Sequence, residues 1–158
     1  MPQLSMHTPI ADLTLYENAG AIVALDWGWV EDQDPSPLLR EAKKQLDAYF
    51  DGDLKAFDLP LDPYGTDHQS KVWAAMGKIP YGQVATYGDL ANQLNSSAQA
   101  IGTACGRNPI PIIIPCHRIV SQGPVGSEKW LGGYSGDGGT WTKKALLTLE
   151  EVLEPELF

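Results

Sequence analysis

Two short alternating or apolar runs in "ADLTLYENAGAIVALDWGWV" flank Glu17-Asn18-Ala19-Gly20, and that pattern predicts a β-hairpin. Next, "PLLREAKKQLDAYFDG" places Leu38, Leu39, Ala42, Leu46, Tyr49 and Phe50 at helical spacing, with Gly52 as the stop. Beyond the turn-rich "DLPLDPYGTDHQS" the texture changes. "HQSKVWAAMGKI" predicts a helix and "PYGQV" a turn. "TYGDLANQL" predicts a second helix, opened by Thr86 and Asp89 in capping-box spacing, with Asp replacing the usual Glu or Gln. "SAQAIGTACGRN" predicts a third helix, closed by Pro109. Two short helices joined by a tight polar turn read as helix-turn-helix, although any helical hairpin has the same pattern. On the later of the two, Ala98, Gly102 and Thr103 make a face of small residues, and Ile101, Ala104 and Cys105 make the opposite packing stripe. That small face suits close approach by a neighbouring helix or by a DNA groove.

An apolar run, "PIIIP", predicts a core strand leading into Cys116 and His117. In the last helical pattern, "WTKKALLTLEEVLE", residues Thr142, Ala145, Leu146, Leu149 and Leu153 line one face. Glu150 falls at the border of that face, with Glu151 opposite. The elements together predict an α+β protein of two small domains: an N-terminal sheet-plus-helix domain over 1–64, and a helix-turn-helix or winged-helix-like domain over 65–158.

Charge sharpens the division. The net charge of −9 looks hostile to nucleic acid, whose phosphates are bound by Lys and Arg. Residues 1–69 hold thirteen Asp and Glu against four Lys and Arg, whereas residues 70–158 hold seven of each and balance to zero. The acidity therefore belongs to the first part, where it is most simply a solvated surface. No run approaches the roughly 18 apolar residues of a membrane span, and the first twenty positions lack a secretory pattern. Two cysteines make no secreted disulfide framework, so a reducing cytoplasm is the expected setting, with no membrane partner.

A proline-cysteine-histidine sequence after an apolar run is unusual core material. A free thiol is only a few per cent ionised at pH 7 and needs a partner, for which His117 is the obvious base. On a regular strand adjacent side chains point to opposite faces, so contact requires a bend after Pro115 or a bridging water. A zinc site fits poorly, because no C-x2-C or H-x3-H spacing groups Cys105, Cys116, His117, His7 and His68. A buried cysteine beside a structural histidine remains the inert reading. Glu150, at the edge of a buried stripe, is a candidate partner for His117 or a surface glutamate.

"PIIIPCHRIV", with the upstream "RNPIP" and "YGQVATYGDLA", resembles the O6-alkylguanine-DNA alkyltransferase family, strongly over roughly Gln69 to Glu150. "LTLYENAGAIVALDWG" resembles the family's more variable first domain. The resemblance implies that Cys116 takes the alkyl group from O6 of guanine in one irreversible step, without a cofactor or metal. It further implies that His117 deprotonates Cys116 through a water, that Glu150 orients His117, that Asn108 shapes the turn, and that Tyr87 donates a proton toward the departing base. The partner it implies is double- or single-stranded DNA carrying O6-alkylguanine, bound by a monomer. The resemblance also implies that the lesion is flipped out and met by Tyr87, Ala98, Gln99, Gly102 and Thr103.

The chain departs from the family pattern in two places. The position of the family's wedge arginine holds Gln99. An insertion, "SEKWLG", follows Val125-Gly126 in the loop over the alkyl pocket, where Tyr134 and Ser135 match. Trp130 is a candidate lining or lid for that pocket, or an ordinary loop aromatic. Cys105 stands where the family has a pocket-facing hydrophobe and reads as packing. Two other functions stay open at this stage: a lesion-binding protein with weak repair, and a thiol enzyme acting on small alkylated nucleobases.

Overall fold

A computed structural model describes residues 1–155. The chain divides into two compact units, Met1–Tyr64 and a second that begins at Gly65. No helix among the described residues is long and apolar enough to cross a membrane.

The first unit is a three-stranded antiparallel sheet carrying one helix. Strands β1 (Gln3–Met6), β2 (Leu13–Asn18) and β3 (Ala21–Trp27) lie in the order β1-β2-β3, with Leu15 opposite Leu4 on one side and Leu25 on the other. The β2–β3 turn needs positive φ at Ala19 (50°) and Gly20 (81°). Helix α1 (Pro37–Phe50) starts on the Ser36 side chain, which accepts from the Leu39 amide, with Pro37 at its first position. Its buried stripe is Leu39, Ala42, Leu46 and Tyr49, and the helix packs across all three strands. The hairpin and helix lie where the pattern predicts them, while β1 is an addition.

In the second unit, α2 (Asp67–Gly77) and α3 (Tyr87–Leu94) both open on reciprocal capping boxes, Thr66 with Gln69 and Thr86 with Asp89. Asn95, in the left-handed region at φ 54°, ends α3, and Ser97 caps α4 (Ala98–Gly106). Helices α3 and α4 pack on each other and on α2, and the Trp73 indole donates to the Ala104 carbonyl at 2.9 Å. A short parallel ribbon, β4 (Ala85–Thr86) with β5 (Ile119–Val120), joins the approach to α3 to the segment after the cysteine. Helices α5 (Glu128–Leu131) and α6 (Thr140–Leu149) complete the unit.

Two expectations are corrected here. The apolar run is a buried turn rather than a strand. Pro111 bridges Ile114, Ile112 sits at φ 72°, and the Asn108 side chain accepts from the Ile110 amide while donating to the Ile114 carbonyl. Prolines at 109, 111 and 115 remove the donors that a strand ladder requires, and the Asn108 amide supplies the local partners instead. The phase of α6 also differs. Its buried residues are Thr142, Lys143, Leu146 and Leu147, and the helix stops at Leu149, so Glu150 is the buried residue just past its end. Ala145 and Leu149 are only half-buried.

Candidate active site

Cys116 opens a single 3-10 turn, Cys116–Arg118. Its amide donates to the Ile114 carbonyl at 2.8 Å, and Pro115, at φ −83° and ψ 68°, redirects the chain out of the buried turn. This is the bend that a strand could not provide. Three consecutive functional groups are thereby buried together: Cys116 is 6% exposed, His117 0% and Arg118 7%.

Glu150 meets two of them. Its Oε2 lies 2.6 Å from His117 Nε2, and Arg118 grips the same carboxylate through Nε to Oε1 at 2.7 Å and Nη2 to Oε2 at 3.1 Å. The third arm of Arg118, Nη1, donates to the Ile79 carbonyl at 2.7 Å, and its guanidinium lies 5.9 Å from the Tyr81 ring centroid. An ionised carboxylate only accepts hydrogen bonds, so the pairing places the imidazole proton on Nε2 and leaves Nδ1 as a lone pair. His117 Nδ1 is buried without a hydrogen bond to the protein. Burial lowers the His117 pKa, against the upward pull of Glu150, so the ring favours the neutral form of a base.

Burial raises the thiol pKa of Cys116, while the Asn108 side chain and the charge of Lys143 work in the opposite direction. Lys143 is fully buried and donates to the Ile119 and Gly133 carbonyls. Asn108, anchored at both ends of the buried turn, fixes the backbone that presents the thiol.

Cys116 faces a small cavity that it lines with Cys105, Tyr87, Gly102, Gly106, Gly133, Tyr134 and Ser135. Tyr87 is the first residue of α3, and burial pushes its hydroxyl up to about 12. Gly132, at φ 64°, lies close to Tyr87: a Cβ there would stand 3.3 Å from Ser121 Oγ and 3.5 Å from the Tyr87 hydroxyl oxygen. Tyr87, Gly102 and Gly133 also line an open cleft bordered by Ala98 and Gln99. The exposed face of α4 therefore leads to the thiol. Thr103, also exposed, borders a separate cleft between the starts of α2 and α4, together with Gln99. Cys105 both lines the cavity and packs, with its thiol 3.4 Å from Met76 Sδ and burial raising it to about 12.

Three expected pocket residues lie elsewhere. Val125 is exposed, Gly126 approaches Leu153, and neither lines the cavity. Trp130 is buried with Val120, Leu131 and Leu147, because the inserted segment forms α5 on a Ser127 cap and turns its aromatic residue inward. Arg118 and Lys143 are the residues that sequence reasoning passed over. Arg118 stood inside the quoted motif without a role, and Lys143 needed the true phase of α6. Among the described residues no group of three or more His, Cys, Asp or Glu side chains is placed to hold a metal ion.

A buried cysteine backed by a histidine–glutamate pair, opening beside the second helix of a helix-turn-helix, defines a thiol-nucleophile protein of the DNA-binding type. Residues 67–152 match "6-O-methylguanine DNA methyltransferase, DNA binding domain", and residues 4–63 match "6-O-methylguanine DNA methyltransferase, ribonuclease-like domain". The chain belongs to the 6-O-methylguanine DNA methyltransferase family. It is 40% identical to a methylated-DNA–protein-cysteine methyltransferase of Methanosarcina barkeri, over 92% of this chain and 94% of that one. It is 39% identical to the constitutive methylated-DNA–protein-cysteine methyltransferase of Bacillus subtilis, over 92% of each. Among solved structures it resembles Mycobacterium tuberculosis OGT in complex with DNA, with TM-score 0.81 and 39% identity, covering 96% of this chain and 93% of that one.

Proposed function

We infer that this protein repairs O6-alkylguanine in DNA by moving the alkyl group onto its own Cys116. The observation that carries the reading is the buried pair: Glu150 fixes the His117 tautomer at 2.6 Å, which leaves Nδ1 free to act as a base, and the preceding residue in the chain is a cysteine that faces a cavity. His117 takes the thiol proton, directly or through one water, and the thiolate attacks the alkyl carbon. The carbon–oxygen bond breaks with its electrons going to guanine O6, and the base is neutralised by a proton from Tyr87, which lines the cavity. The proton held by His117 then returns through water to the Tyr87 oxygen, so the thiol proton ends, in net terms, on guanine. The product is a thioether, a carbon–sulfur bond that general-base activation of water does not hydrolyse, so each molecule acts once.

The small-residue face of Ala98, Gly102 and Thr103 suits close approach to DNA, and the cleft that Ala98 and Gly102 line shares Tyr87, Gly102 and Gly133 with the cavity of the thiol. Gln99 supplies hydrogen bonds there but no charge, and residues 70–158 have no net charge, so the reading implies weak attraction to undamaged duplex. The lesion must leave the stack to reach a buried sulfur, at a cost of a few kcal/mol that is lower for a poorly paired base. Incubation with duplex O6-methylguanine should raise the intact mass by one methyl group, on the peptide that contains Cys116, and Cys116→Ala should abolish the gain. Label on Cys105, or no label, would sink the assignment.

A further inference from the structure

The first turn of α6 carries a further buried ionisable group, Lys143, to which the reaction above assigns no role. Lys143 is 0% exposed, and its ammonium donates to the Ile119 carbonyl at 2.6 Å and the Gly133 carbonyl at 3.2 Å. Both acceptors are neutral, and burying an ammonium without an anion is strongly unfavourable. Burial accordingly lowers its pKa to about 8, while the ionised thiols of Cys116 and then Cys105 pull in the other direction. Its partner Gly133 lines the same cavity as Cys116 and Cys105, whose charges act on Lys143, while the Tyr87 ring centroid lies 6.0 Å from the ammonium and His117 also feels its charge. None of these is a carboxylate, and Glu150 is already held by His117 and Arg118. A thiolate on Cys116 is therefore the natural counter-charge.

The identity of the two carbonyls is equally informative. Ile119 opens β5, directly after the turn that carries the nucleophile, and Gly133 belongs to the cavity wall together with Tyr134 and Ser135. One ammonium ties those two segments together. We propose that Lys143 is a positioning residue for alkyl transfer, clamping the Gly133 wall of the pocket to β5 and stabilising the Cys116 thiolate through space. The purpose of the clamp rests on the repair reading, whereas the effect on the thiol requires no DNA.

The test compares wild type, Lys143→Met and Lys143→Gln as full-length proteins, with thermal melts to show that each is folded. Carboxamidomethylation of Cys116 by iodoacetamide is followed by mass over roughly pH 6 to 10, and transfer from free O6-benzylguanine is followed as half-saturation and maximal rate. Both variants should shift the thiol titration upward by about one pH unit, which is about tenfold less thiolate at neutral pH, and should meet the wild-type rate at high pH. Lys143→Gln keeps a donor for one carbonyl, so it should lose less half-saturation for O6-benzylguanine than Lys143→Met. It also keeps the test decisive if Lys143→Met does not fold. Superimposable titration curves for wild type and Lys143→Gln would overturn the proposal. Wild type that reacts with iodoacetamide yet takes nothing from methylated DNA would sink the repair reading and leave the thiol result standing.

Discussion

In the unit from Met1 to Tyr64 the buried polar side chains are Ser5 and Thr14, whose hydroxyls satisfy each other at 2.8 Å, whereas the second unit buries His117, Arg118, Lys143 and Glu150. The first arrangement is cheap, since two small neutral groups trade water for one another. The second removes formal charges from water, with His117 and Arg118 paired to Glu150 and the Lys143 ammonium held by two carbonyls. Two units of one chain thus follow different rules. The acidic surface of the first tells nothing of chemistry, while the few charges hidden in the second mark where chemistry is performed.

The largest effect should come from breaking that pairing. Glu150→Ala strips both His117 and Arg118 of their partner, and leaving a buried charge unpaired typically costs about 3–5 kcal/mol. Denaturant unfolding should show a loss on that scale, with alkyl transfer falling by about 10²-fold or more as the oriented base is lost. If Glu150→Ala unfolds like wild type, the buried pairing does not carry the stability assigned to it.

A smaller effect is expected from pH. Burial lowers the folded-state pKa of His117 below its ordinary 6.5, so the unfolded chain takes up the proton first as pH falls. The stability held by neutral His117 is complete above 6.5 and is lost as pH drops toward the folded-state value, at about 1.4 kcal/mol per pH unit. The melting temperature of wild type should therefore fall more steeply below pH 6.5 than that of His117→Gln. Parallel profiles would show that His117 accepts its proton in the folded state as readily as in the unfolded one.

Least affected should be the first unit. Ser5→Ala removes one member of the hydroxyl pair and the acceptor for the Val30 amide at 3.0 Å, and should destabilise by about 1–3 kcal/mol, with the Cys116 transfer rate unchanged in the folded protein. A transfer rate that fell with Ser5→Ala would erase the contrast between the units.

Much of this was legible in the sequence, for identifiable reasons. The hairpin announced itself by its period around Ala19-Gly20, and the helix-turn-helix by the Thr86–Asp89 capping box and the polar turn after it, because these signals are local. Strand β1 is four residues with no turn signal of its own, so its assignment depends on β2 being present. Ile112 to Ile114 have strong strand preference, and it was overruled by the neighbouring prolines and the Asn108 side chain. Cys116 and His117 were conspicuous because adjacency is visible in a sequence. Lys143 was not, because an apolar stripe drawn through Ala145, Leu149 and Leu153 is out of phase with the buried one of Thr142, Lys143, Leu146 and Leu147.

The buried turn from Ile110 to Ile114 has a consequence for the chain before it folds. Consecutive isoleucines are the kind of segment that stacks between molecules when exposed, and here they are hidden only once the second unit has closed over them. Pro109, Pro111 and Pro115 interrupt that stretch, and each lacks the amide that an intermolecular ladder would need. They act as gatekeepers against self-association as well as shaping the turn. The protection matters in a protein consumed by a single event, because every lesion removed must be matched by a newly made chain that passes through the vulnerable state.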